Sequence, residues 1–227
     1  MARDIASVQR AINQTINEVI EEAFRQREGR FRSAVRDSIE KVILRSPEVA
    51  SLQADVLRGQ LGLTDAENKV AKVAETFAEG IDINVYFDQA GTTFKKSRAI
   101  RVTLDDGAFD RIMALDEAYQ VNTSADGNRI GAPSELPWLY WLVFGGIGEQ
   151  VSTHRLKEGT VVGRSGLPYI MIPGGSWSVP PEFAGTRTNN FLTRALDRGV
   201  GTLKKDVGDA LKDVLRKASA ISRTRRK

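Results

Sequence analysis

Apolar positions near the start of the chain recur every three or four residues. Ile5, Val8, Ile12, Ile16, Val19, Ala23, Phe24, Phe31, Val35, Ile39 and Val42 form one stripe, and the spacing predicts a helix over 3–44. Gly29 is placed to kink it. Arg25, Arg27, Arg30, Arg32 and Arg36 lie on the other face, interleaved with Glu22, Glu28, Asp37 and Glu40, as on a salt-bridged solvent surface. Ser46-Pro47 closes this helix or opens the next. A helical pattern persists to Gly80, broken around Gly59 and Gly62, with Thr64 or Asp65 as N-cap of "AENKVAKVAETFAEG". At Ile81 the period drops to two. Ile83, Val85 and Phe87, then Ile100, Val102 and Leu104, predict a hairpin with "DQAGTTFKKS" at its tip.

Farther on, a short helix is expected over 108–119 and a polar loop over 122–135. A second short helix follows at "LPWLYWLVFGG", with Pro137 in its first turn. Strands are expected near Val161–Val162 and Tyr169–Pro173, joined by "GRSGLP". The stripe Leu192, Leu196, Val200, Leu203, Val207, Ala210, Leu211, Val214 predicts a last helix over 188–217, packed on the sheet. Gly199, Gly201 and Gly208 each lower its propensity by about 1 kcal/mol relative to alanine, so it depends on packing. The fold class is therefore α+β: long terminal helices flanking a small, mostly antiparallel sheet of about four strands with a long hairpin. The organisation reads as a helical region at 1–80, an α+β core with its C-terminal helix at 81–218, and a basic tail at 219–227.

Composition narrows the chemistry. The 227 residues include no cysteine and one histidine. Disulfides, thiolate metal sites and cysteine nucleophiles are excluded, as is a His-rich metal site within one chain. A Ser-His triad would need His154, and no G-x-S-x-G elbow presents a serine. "FGGIGEQ" (Phe144–Gln150) lacks the lysine and hydroxyl of a phosphate loop and reads as a helix end with a turn. Trp138, Tyr140, Trp141 and Phe144 suit core packing better than a pocket. The pairs Asp105-Asp106 and Glu21-Glu22 read as solvated surface. No cofactor, metal or catalytic residue is expected. The start of the chain has no apolar signal core, and Pro137–Gly148 is too short to span a bilayer, so no membrane association is expected. Charge is uneven: from Arg198 onward ten Lys/Arg face three Asp/Glu, a net of +7. Arg223, Arg225, Arg226 and Lys227 make the end a candidate contact for nucleic acid or an acidic partner.

One stretch asks for a decision between active site, docking surface and fold element: "GGSWSVPPEFAGTRTNNFLTRALD", Gly174 to Asp197. Trp177, Pro180, Pro181, Phe183, Phe191, Leu192 and Leu196 are its motif residues, with Trp177 and Phe183 expected to clamp the loop. From Glu158 to Leu215 the chain resembles the C-terminal part of tailed-phage neck or tail-completion proteins. Glu158-Gly159-Thr160, Pro180-Pro181, Phe191-Leu192 and Ala195-Leu196 carry the resemblance. It implies a virion structural protein assembled in the bacterial cytoplasm, self-associating as a ring (hexamer or dodecamer) and bound to portal or connector and tail proteins. A contact with packaged DNA is a further expectation. Candidate interface residues are Ile16, Val19, Phe24 and Phe31 on the first stripe and Lys95, Lys96 and Arg98 at the hairpin tip. The competing readings are a tail terminator capping the tube, a basic nucleic-acid-binding module, and an enzyme with unrecognised carboxylate chemistry.

Overall fold

The structure, a computed structural model, describes residues 18, 21, 22, 24–86, 99–105, 107–121 and 135–224. Its elements run in the order α1 (Glu28–Leu44), α2 (Pro47–Ala54), α3 (Val56–Leu61), α4 (Ala66–Glu79), β1 (Ile81–Tyr86), β2 (Ala99–Leu104) and α5 (Ala108–Met113). A 3-10 turn (Asp116–Ala118) follows, then β3 (Gln120–Val121), β4 (Glu135–Leu136), α6 (Trp138–Val143), β5 (Glu149–Val151), β6 (His154–Glu158), β7 (Tyr169–Pro173), β8 (Trp177–Ser178) and α7 (Phe191–Thr224). The class is α+β. Among the described residues the strands form four antiparallel pairs, β1–β2, β3–β4, β5–β8 and β6–β7, in place of one four-stranded sheet.

The chain divides into two compact units that do not follow its linear order. One comprises 1–38, 81–105 and 202–227; the other comprises 39–80 and 106–201. The expected split at residue 80 therefore gives way to one in which part of the first helix groups with the hairpin and the end of the last helix.

In the first unit, Phe24 and Phe31 are buried and meet edge-on, ring centroids 5.3 Å apart. The helical path breaks at Gln26-Arg27, not at Gly29. Arg27 N–H donates to Phe24 O at 2.8 Å, so the turn brings the two rings together while Gly29 stays helical. The hairpin register sets Ile81 opposite Leu104, Ile83 opposite Val102 and Val85 opposite Ile100. Ser38 Oγ donates to Asp206 Oδ2 at 2.6 Å, tying α1 to α7.

The second unit holds the larger core. Trp138 is fully buried and its indole N–H donates to Glu117 O at 2.7 Å, which satisfies the one polar atom burial would strand. Phe77, Phe109 and Phe144 follow in sequence with centroid separations of 5.6 and 5.7 Å. Of the expected aromatic cluster, Trp138 and Trp141 are core and Phe144 is half-buried, while Tyr140 is 51% exposed and lies outside it. Pro137 sits one position earlier than expected, at the N-cap of α6.

One strand expectation shifts. Val161 and Val162 are not a strand; they lie exposed in the connection between β6 and β7, and β7 pairs with His154–Glu158. The charged side chains of "HRLKE" conceal the period-two pattern that only Leu156 and His154 express. The last helix also runs on through Thr224, so residues 219–224, read as tail, have helical backbone. Its close neighbour is α1: a Cβ on Gly199 would fall 2.2 Å from Val42 Cγ1. The glycine that weakens the helix is what lets the two backbones approach.

Candidate functional site

The stretch from Trp177 to Leu196 is built as an anchored loop leading into a capped helix. Trp177, on β8 opposite Val151 of β5, is buried and packs on Trp141 at 5.6 Å between centroids. Phe183 is only half-buried, so Trp177 does the clamping that was assigned to both. Pro180 O accepts from Phe183 and Ala184 N–H at 2.9 and 3.0 Å, forming a turn, and Pro181 is exposed at its edge. Gly185 lies so close to α6 that a Cβ would meet Leu142 O at 2.0 Å.

Asn190 then starts α7. It is fully buried, and its Oδ1 accepts from Leu192 and Thr193 N–H at 3.0 and 3.2 Å. Its own N–H donates to Thr193 Oγ1 at 2.9 Å. This reciprocal capping satisfies helix-start donors that would otherwise be stranded. Phe191 and Leu192 are buried behind the cap, and Leu196 is half-buried.

Arg194 is the hub. Its Nε donates to Glu48 Oε1 at 3.1 Å; its Nη1 reaches Ala184 O at 3.1 Å and Asn189 Oδ1 at 3.2 Å; its Nη2 reaches Phe183 O at 3.4 Å. Arg198 donates to the other Glu48 oxygen. Glu48 is 5% exposed. Burial pushes its carboxyl up, but hydrogen bonds from Arg198, from its own backbone N–H and from Arg194 outweigh that and hold it below the ordinary carboxylate range. The group is ionised, paired and occupied on both oxygens. It is a tie between α2, α7 and the loop. Nothing in the sequence pattern singled out Glu48; the only trace was the arginine pair one helical turn apart beside the apolar stripe.

A second tie lies at the end of α3. Gly62 is left-handed (φ 62), Leu63 N–H donates to Arg58 O and Gly62 N–H to Gly59 O, the paired bonds of a Schellman ending. Arg164, from the β6–β7 connection, donates to Gly62 O at 2.7 Å and Leu61 O at 3.2 Å. A cation on the last carbonyls also suits the helix dipole. Tyr169 packs against Gly59, where a Cβ would fall 2.1 Å from its ring. Beside these contacts is a cavity of about 690 Å³ whose lining includes Trp141, Gln150, His154, Arg164 and Tyr169. His154 Nδ1 is 2.9 Å from Thr153 Oγ1, and the polar groups here serve local structure more than a common centre.

The remaining expected site residues divide cleanly. Phe24 and Phe31 belong to the protomer's own core, so they are not available as an interface; the aromatic pair satisfies itself. Ile16, Val19, Lys95, Lys96, Arg98, Arg225, Arg226 and Lys227 lie outside the described residues. Arg223 is on the last turns of α7. What the sequence reading missed is β2, whose residues 101–104 are exposed on both faces, with Val102 at 44% and Leu104 at 38%. The alternation was seen, but not that its outer half is uncovered. No described helix is long and apolar enough to cross a membrane. Comparison of the chain with family models, curated proteins and solved structures finds no match.

Proposed function

We propose that this chain is a structural protein of a tailed-phage neck, which self-associates at the head–tail junction to join or complete the tail. The observation that carries this reading is the apolar exposure of β2. An edge strand with uncovered valine and leucine is a liability in a monomer and an asset in a protein that always meets its own copies. The stretch resembling neck proteins supports the same reading: within it the polar residues Asn190 and Arg194 hold a loop and a helix start in place. A protein that transmits contact between neighbours needs rigid surfaces, and this stretch supplies one without reactive groups.

Deleting the gene and imaging the particles tests the proposal. Separated DNA-filled heads and tails are expected. Normal infectious virions with joined heads and tails would overturn it.

A further inference from the structure

The two strands of the first hairpin are unequal. On β1, Ile81 and Ile83 are 2% and 0% exposed. Their cross-strand partners on β2, Leu104 and Val102, are 38% and 44% exposed. The opposite face carries Asp82 and Asn84 on β1 and Arg101 and Thr103 on β2, all exposed. Asp82 is the one charged residue of β1 and Arg101 the one charged residue of β2. Among the described residues neither strand has a second neighbour.

We infer that in the assembled protein the outer edge of β2 pairs antiparallel with the outer edge of β1 of a second copy, with Arg101 opposite Asp82 of that copy. The inference rests on the self-assembly reading above. Its register follows from strand parity. Setting Arg101 against Asp82 sets Val102 against Ile81 and Ile100 against Ile83. Charge then meets opposite charge on one face, and apolar meets apolar on the other. Slipping by one residue would put every side chain on the wrong face. The alternative, β2 against β2 about a two-fold axis, brings no opposite charge to either strand, because β2 carries no carboxylate. It also stops at a dimer. Pairing β2 to β1 uses different edges on the two copies, repeats from copy to copy, and closes into a ring when the rotation permits.

The cysteine-free chain makes the test direct. Single-cysteine variants Arg101→Cys and Asp82→Cys are purified separately, mixed, and oxidised mildly. A disulfide-linked dimer is expected in the mixture and in neither variant alone. Linkage of Arg101→Cys with itself, or no linkage in the mixture, would overturn the pairing. Charge exchange gives an independent readout. Arg101→Asp and Asp82→Arg should each weaken association about 10-fold at low salt, and the double variant should recover most of it. A double variant as weak as the singles, with circular dichroism unchanged, would also overturn it. Failure here with separated heads and tails in the deletion removes the pairing and leaves the neck reading intact; linkage with normal virions does the reverse.

Discussion

The start of α7 and the strand β2 are both amphipathic, and they are treated in opposite ways. At Asn190–Leu196 every buried polar atom described has a partner, the apolar side chains are inside, and one arginine ties down a loop and a distant helix. At Arg101–Leu104 the apolar side chains stay in solvent and one edge of the strand lacks a described neighbour. The first region is complete within one chain. The second leaves apolar surface exposed. Stability should therefore reside in the first and association in the second.

Mutations can break that contrast. The largest effect is expected from Phe191→Ala, which empties a site 1% exposed and should cost about 3–5 kcal/mol, read by denaturant unfolding. Next is Arg194→Ala. Its side chain is 23% exposed, so the loss is discounted from that of a fully buried pair to about 2 kcal/mol. Limited proteolysis should then open the chain between Pro180 and Asn190. Asn190→Ala removes the cap and should cost about 1 kcal/mol, with Asn190→Ser recovering part of it.

Acid provides a gentler probe. The Glu48 carboxyl is held lower in the folded chain than in the unfolded one. Its contribution is therefore present above the unfolded value and is lost as pH falls through the lowered folded value. A Tm profile below pH 5 should flatten in Glu48→Gln relative to the parent; superimposable profiles would show that the pair does not matter. The smallest stability effect is expected in β2. Val102→Thr together with Leu104→Thr should change unfolding by no more than about 0.5 kcal/mol while lowering the oligomer fraction in analytical ultracentrifugation. Unchanged association would leave the contrast without its functional half.

These differences bear on what a sequence can disclose. Periodicity located α1, α4, the first hairpin and α7 because each repeats one pattern over many residues. It placed Trp138 and Trp141 in a core for the same reason. It misplaced a strand at Val161–Val162, since apolar pairs in a glycine-bounded loop look like a short strand and "HRLKE" does not. It could not show Arg164 on the end of α3: the bond to Gly62 O spans 102 positions, and nothing local to either residue encodes it. Phe31 looked like surplus apolar surface because in an unbroken helix Phe24, on the same stripe, would stand about 10 Å away along the axis; the turn at Gln26-Arg27 brings the two rings together. The uncovered half of β2 was invisible because alternation tells which side chains share a face and says nothing of whether that face is covered.

Gly199 has a consequence for how this sequence can change over generations. Alanine there would favour the helix by about 1 kcal/mol, yet its Cβ would enter Val42, 2.2 Å from Cγ1. The obstruction is side chain, not backbone: both Val42 methyls and, at 3.2 Å, its Cβ. Val42→Ala would remove the methyls and leave one Cβ contact that a shift of a few tenths of an ångström relieves, after which Gly199→Ala becomes favourable; in the reverse order it is not. The two positions should therefore vary together among related sequences, with small residues trading sides, and a double-mutant cycle should show a coupling of about 1 kcal/mol or more between sites 157 residues apart in the chain.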